Sequence, residues 1–269
     1  YFQGVSNFPE VLEILGVEAQ SGEVSQNIKS DGEQGGMGFC RLGRYFVTVC
    51  SPKFRFRPPQ CHANHIDFWV GSKNVLMDGG TFSYNISDEF DYFCDERGHN
   101  NVQFDEHTQM PKVGRFLYAD WLESGCTSNE WIVEQDSTKQ FSSSYRTARG
   151  AFHRRVIALS NSGELKVRDT LTDFKSEATI RWRLPLEEYR VRRDGKVIEI
   201  SSNELRISVE PENLSDCDVR LSCGWLSSNY LQKSRISVLK VRVIRPTVIQ
   251  TSIVPLEGCD VDKELKERH

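Results

Sequence analysis

The sequence predicts a mostly β chain, one large antiparallel β-sandwich of roughly a dozen or more strands with a short N-terminal helix ahead of it. Two observations carry this. From residue 38 onward apolar and polar residues alternate in short runs rich in valine, isoleucine, threonine and aromatics, the pattern of a half-buried pleated surface. Each run is bounded by glycine, serine, asparagine, aspartate or proline, and no helical pattern separates one run from the next. Parallel pairing, which needs crossover helices, is therefore excluded.

In chain order, YFQG at residues 1–4 reads as an expression-tag remnant and is set aside. Residues 5–37 hold a helix and a linker. NFPEVLEILGVEAQ (7–20) has apolar residues at helical spacing, with Asn7 placed to cap and Pro9 in the first turn. The stretch 21–37 is polar and glycine-rich, as connections are. The sandwich spans 38–260. Its strands are expected at RYFVTVC (44–50), HIDFWV (65–70), NVLMD (74–78), NVQFD (101–105), EWIVEQ (130–135) and HRRVIALS (153–160). They continue at ELKVRDTL (164–171), TIRWRL (179–184), KVIEIS (196–201), ELRISVE (204–210), DVRLSC (218–223), RISVLKVRVI (235–244) and TVIQTSIV (247–254). Glycines mark NSGE (161–164) and RDGK (193–196) as hairpin turns. Residues 261–269 form a polar tail.

A net charge of −4 lacks the basic face of a nucleic-acid binder. No apolar run approaches the ~18 residues that a membrane-spanning helix needs. The eight cysteines are irregularly spaced with no C-x-x-C pair, so neither a disulfide framework nor a four-cysteine zinc site is expected. Several lie inside apolar runs, which favours a reducing compartment, the cytoplasm over the periplasm.

The densest chemistry is in CHANHIDFWVGSKNVLMDGG (61–80). In HIDFWV, Ile66, Phe68 and Val70 share the core face, leaving His65, Asp67 and Trp69 on the other. With GSKN (71–74) as the turn and Val70 opposite Val75, Asp67 falls opposite Asp78, and Met77 faces Phe68. Two facing carboxylates repel, so a metal ion, an arginine such as Arg55 or Arg57, or a shared proton must offset them. His62, His65 and His99 are at hand either to form a hydrogen-bonded network with the aspartates or to complete a metal site. The glycines of DGGTFSYN (78–85) let backbone approach either a strand or a ligand.

A second polar stretch, RGHNNVQFDEHTQMP (97–111), points Val102 and Phe104 inward and Asn101, Gln103 and Asp105 outward. Amides donate and accept, and rings stack on sugar faces, so such a surface suits hydroxyl-rich ligands. Asn100, Gln103, Tyr84 and Arg149 are the candidate substrate-binding side chains. Arg149 belongs to a basic cluster with Arg146, Arg154 and Arg155 that would meet carboxylates in bidentate fashion. His153 within it reads as a buried or hydrogen-bonded ring, and Trp182 and Trp225 as core.

QCHANHIDFWV (60–70), NVLMDGGTFSYN (74–85), HNNVQFD (99–105) and QMP (109–111) together resemble the C-terminal β-sandwich domain of heparinase II/III-like proteins. So do HRRV (153–156), RWRLP (181–185) and GWLSSNY (224–230). The resemblance implies polysaccharide lyase chemistry: a base takes the C5 proton of a uronic acid, acidified by its carboxyl group, and the 4-linked sugar leaves. It also implies an N-terminal helical toroid that supplies most of the active-site wall, of which residues 7–20 would be the tail, so that this chain alone is inactive. His62 and His65 become the candidate catalytic residues. A zinc held by sandwich residues is implied too, with Asp78 and His99 in matching positions and His65 as the third candidate ligand. Gln60 stands where the family's ligand histidine falls, and the H-x-H-x-D motif is not intact. That departure resembles the branch linked to surface-polysaccharide biosynthesis. The alternatives are then a lyase part acting on acidic polysaccharide, a non-catalytic glycan-binding or scaffolding domain using Trp69, Tyr84 and Tyr118, and a docking surface for the helical domain.

Overall fold

A computed structural model describes residues 31–34, 36–51, 54, 57–125, 131–134 and 137–256; the tag remnant, the 7–20 helix, Arg55 and the 261–269 tail lie outside them. Among the described residues there are twenty strands and one α-helix, and the named strands all pair antiparallel. The expected mostly-β sandwich is what the chain forms.

The first sheet is a meander in sequence order: β1 (Asp31–Gln34), β2 (Met37–Leu42), β3 (Tyr45–Cys50), β4 (Ile66–Val70) and β5 (Lys73–Leu76). Thus part of the stretch read as a linker, 21–37, is strand. Helix α1 (Ser87–Cys94), a 3₁₀ turn at Glu96–Gly98 and β6 (Val102–Phe104) follow. β7 (Lys112–Gly114) and β8 (Leu117–Tyr118) form a small ribbon. Next come β9 (Glu123–Gly125), β10 (Ile132–Val133), β11 (Lys139–Arg146), β12 (Phe152–Leu159), β13 (Leu165–Thr172), β14 (Ala178–Leu184), β15 (Arg190–Asp194), β16 (Val197–Ser201) and β17 (Leu205–Pro211). The chain closes with β18 (Cys217–Asn229), β19 (Gln232–Val243) and β20 (Thr247–Pro255). A nine-stranded sheet runs β10-β11-β12-β13-β20-β17-β16-β15 with β9 also on β11, and a four-stranded sheet runs β18-β19-β14-β6.

Two layers result. The five- and four-stranded sheets meet where the Met77 amide donates to the Arg183 carbonyl at 3.0 Å. The nine-stranded sheet faces both across one core. Gly38 on β2 lies so close to Phe141 on β11 that a Cβ would stand 2.9 Å from its ring, and Arg155 on β12 lies over the Trp182 ring on β14. Alternation drives this packing: His153, Arg155, Ile157 and Leu159 of β12 point inward and are buried. Trp182 is a core residue as expected; Trp225 is only half-buried, beneath Lys233. Cys40, Cys50, Cys61 and Cys94 are buried thiols outside any disulfide.

The seam between the two joined sheets is closed by one side chain. Along its free edge β14 receives β6 only as far as Ile180, after which the Arg181 amide donates to the Asn101 carbonyl. Beyond that point Asn100 replaces a strand: its Oδ1 accepts the Arg183 amide at 2.6 Å, and its Nδ2 donates to the carbonyls of Ile66 and Met77. Asn100 is fully buried, so it is no substrate-binding residue; every polar atom of its side chain is spent on backbone. Asn100→Leu, similar in size, is expected to cost about 3 kcal/mol in chemical denaturation, because it strands the Arg183 amide in the core without an acceptor and removes two further bonds.

The β4–β5 hairpin departs from the expected register. The turn is Gly71–Ser72 alone, with Gly71 at φ 58°, so Val70 pairs with Lys73 and Trp69 with Asn74. A bulge then sets Phe68 opposite Leu76. Asp67 therefore does not pair with Asp78; it accepts a hydrogen bond from Asn74 Nδ2 at 2.9 Å. Burial, with the charge of Asp78 adding to it, still pushes the Asp67 carboxyl up to about 6.

Candidate functional site

Three short backbone segments bring the imidazoles and Asp78 together. The turn 62–65 is closed by the His65 amide donating to the His62 carbonyl, with Asn64 at φ 58°, a conformation asparagine tolerates. The second segment is DGG at 78–80. The Asp78 carboxylate accepts the Gly80 amide at 2.7 Å. Here the glycines serve backbone contact, not a ligand: a Cβ on Gly79 would lie 2.8 Å from the Gly98 carbonyl, and one on Gly80 only 2.0 Å from that of Ser227. The third is the 3₁₀ turn, after which His99 turns back to donate from Nδ1 to the Asp95 carbonyl at 2.7 Å.

Asp78 Oδ2 stands 3.5 Å from His65 Nε2 and 3.4 Å from His99 Nε2, and Gln60 Oε1 lies 3.1 Å from the same His99 atom. The His62 and His65 rings lie 5.9 and 5.3 Å from that of His99. His62, His65, Asp78 and His99 thus lie in one cluster, with Gln60 inside it. The cluster is nearly sealed: His65 and His99 are buried, Asp78 is 16% exposed, and His62 is half-buried.

Burial holds all three imidazoles neutral, lowering His62 to about 4 and moving His65 and His99 the same way. Burial opposes the charge on Asp78, but His99, His65, the Gly80 amide and Arg183 outweigh it and keep the carboxyl below its ordinary range. Arg183 was given no role from sequence. It is fully buried beside the cluster, donating to the Arg97 carbonyl at 2.7 Å and to the Trp225 carbonyl. It supplies the positive charge for which Arg55 and Arg57 were nominated. Only the order R-W-R-L-P hinted at it.

The two ring nitrogens of His65 are fixed by chemistry. Nδ1 accepts the Asn100 amide at 2.8 Å, so the proton of the neutral ring is on Nε2, facing Asp78. His65 therefore turns an N–H, not a bare ring nitrogen, toward Asp78. Asp78 and His99 supply a carboxylate oxygen and an imidazole nitrogen, but with Gln60 third the set falls short of the three imidazole, thiolate or carboxylate ligands of a zinc site. Among the described residues no three His, Cys, Asp or Glu side chains are spaced to hold a metal ion.

A buried polar spine supports the cluster from below. Arg155 donates from Nη1 to the carbonyls of Asn64 and Asn100, both at 2.7 Å, gripping two of the three segments. Asp169 accepts from Arg155 Nε at 2.7 Å and Nη2 at 3.0 Å, and from His153 Nε2 at 2.7 Å. Asn64 Nδ2 donates to His153 Nδ1, and Ser143 donates to Asn64 Oδ1. Arg155 is thus structural and does not belong to an exposed basic cluster, while His153 is the hydrogen-bonded ring it was read as.

The remaining candidates divide. Tyr84, six residues past Asp78, is 47% exposed and sits in an aromatic group with Phe116 (5.7 Å) and Tyr230 (6.0 Å). Tyr230 Oη accepts the Tyr84 amide, and Leu231, at φ 62°, donates its amide to the Phe82 carbonyl, so the β18–β19 tip is pinned to this loop. Tyr118 is buried and cannot stack on a ligand. Gln103 accepts from Arg181 Nη2 at 2.6 Å. Arg149 is exposed but lines a different cavity of about 130 Å³ with Asp105, His107, Thr108 and Asp120, which none of the Asp78 cluster walls.

The sequence profile described as "Heparinase II/III-like, C-terminal" matches residues 29–254. No curated protein sequence matches the chain. Among solved structures, the heparan sulfate lyase HepC from Pedobacter heparinus superposes with a TM-score of 0.70 at 12% identity, over 94% of this chain and 42% of that one. Heparinase III, the BT4657 gene product, gives 0.68 at 14% identity, over 92% of this chain and 39% of that one. Another heparinase III gives 0.63 at 14% identity, over 86% and 37%. At such identities the likeness is one of fold, and the chain spans 37–42% of the length of these proteins.

Proposed function

Because the chain belongs to the heparinase II/III-like family through its C-terminal domain, matched over residues 29–254, we propose that it is the sandwich part of a longer protein that cleaves acidic polysaccharide by β-elimination. In this reading the helical region ahead of it supplies most of the cleft, and the chain alone does not turn over substrate. The observation that carries the proposal is the convergence of His62, His65, Asp78 and His99 on one point, with the exposed Tyr84, six residues past Asp78, grouped with the Phe116 and Tyr230 rings.

Elimination needs a neutral base near the uronate C5 proton. His62 is the imidazole of the cluster nearest the surface and is neutral at physiological pH, and its Nδ1, although buried, has no hydrogen-bond partner among the described residues. His62 is therefore assigned the proton transfer, while His65, sealed beneath, is a positioning residue for Asp78. Tyr84 and its neighbouring rings offer a face for sugar C–H groups.

In the longer protein, uronate-containing polysaccharide is expected to yield the ultraviolet absorbance of an unsaturated uronate, and His62→Ala to lower that rate about 100-fold with melting unchanged. No absorbance with any uronate polymer, or an indifferent His62→Ala, would refute the assignment. One observation favours a second reading, a non-catalytic glycan-binding or scaffolding domain in surface-polysaccharide biosynthesis: His65 and His99 are closed off and Gln60 fills the histidine position. Glycan binding without any unsaturated product is the outcome that reading expects.

A further inference from the structure

We infer that Gln60 turns the Asp78–His99 site into a self-sufficient hydrogen-bonded cluster that holds together without zinc. A carbonyl oxygen only accepts, so the 2.7 Å contact with Asp95 puts the His99 proton on Nδ1. His99 Nε2 is then a bare lone pair, facing the Asp78 carboxylate at 3.4 Å. Two electron-rich atoms this close in a buried setting require an electrophile between or beside them. In a metal site the cation fills that need.

Gln60 fills it differently. Its amide lies 3.1 Å from His99 Nε2. An amide has the same shape either way round, and with the nitrogen toward His99 it donates an N–H to the bare Nε2. A neutral histidine bound to zinc at this position would turn a lone pair, not an N–H, toward the site. The rest of the cluster is already satisfied by protein: Asp78 Oδ1 takes the Gly80 amide, and the His65 Nε2 proton covers the remaining side of Oδ2. Amide oxygen is also a weak ligand for zinc, which favours imidazole and thiolate. The inference concerns this cluster alone and holds whether or not the longer protein is a lyase.

The test loads the 269-residue chain with zinc, dialyses it against zinc-free buffer, and measures metal content and Tm with and without a chelator. The wild type is expected to retain no stoichiometric zinc and to show the same Tm in zinc and in chelator. Gln60→His is expected to retain one zinc per chain and to gain Tm only when zinc is present, since a ligand bound to the folded state alone raises stability. Asp78→Asn, which keeps the side-chain shape, is expected to leave the wild-type metal content unchanged at nil, so the wild-type result stands even if the histidine variant does not fold. One zinc per wild-type chain, lost on Asp78→Asn, would overturn the inference. So would a folded Gln60→His that takes up no zinc.

Discussion

Asp169→Ala is expected to lower folding stability by about 3–5 kcal/mol, read as a fall in the denaturant midpoint, because it leaves the Arg155 guanidinium charged and unpaired in a dry core. Both side chains are fully buried, and Asp169 accepts three hydrogen bonds, two from Arg155 and one from His153. Its carboxyl is held at about 2: burial opposes the charge, but Arg155 and then His153 outweigh it. By linkage, a depressed folded value means stability that is complete above the ordinary carboxylate range and lost as pH falls towards 2. The damage will not stay local. Arg155 also holds the carbonyls of Asn64 and Asn100, so its release loosens the turn that carries His62 and the residue that fixes the His65 tautomer. Replacing both partners, as Arg155→Met with Asp169→Leu, is expected to recover much of the stability, because no charge is then stranded, without restoring the geometry at His65.

Stability is also expected to decline as pH rises from about 4.5 to about 8, through Glu96. This glutamate lies on the 3₁₀ turn just before His99, is completely buried, and accepts the Gln109 amide on Oε1 while Oε2 has no partner. Burial first, and the charge of Asp95 second, push its carboxyl from 4.5 up to about 8. A raised folded value stabilises while the proton is bound: the contribution is whole below 4.5 and gone once pH passes 8. At about 1.4 kcal/mol per pKa unit the linked loss is on the order of 4–5 kcal/mol. Denaturation across that range should show the decline in the wild type and a flatter profile in Glu96→Gln, which keeps the shape and cannot ionise.

Some of this was legible in the sequence for a physical reason. Strands β12, β13 and β17 bury one face only, so the period-two pattern survives in their residues. Strand β11 hides because Ser142, Ser143 and Ser144 fill inward and outward positions alike between Phe141 and Tyr145, and β15 because all five of its residues are exposed and none needs to be apolar. Helix α1 is eight residues long; its stripe of Phe90, Phe93 and Cys94, with Asp88 and Glu89 in its first turn, is too short for periodicity to reveal. At the site, residue type and nearness in sequence exposed His62, His65 and Asp78. What stayed hidden depends on partners far along the chain: Asn100 meets the Arg183 amide 83 residues away, and Arg155 meets the Asn64 carbonyl 91 away. The β4–β5 bulge hid as well, since one extra residue in a hairpin leaves no mark in a hydrophobic pattern.

The most direct measurement follows the histidine rings of the chain by NMR during titration with a uronate-containing oligosaccharide. If the cluster beside DGG faces the ligand, the His62 ring signals should move, while buried His153 and His107, at the separate Arg149 cavity, stay in place. Movement confined to His107 would put the ligand in that other cavity, and a titration that leaves His62 still to the end would contradict a functional role for the cluster altogether.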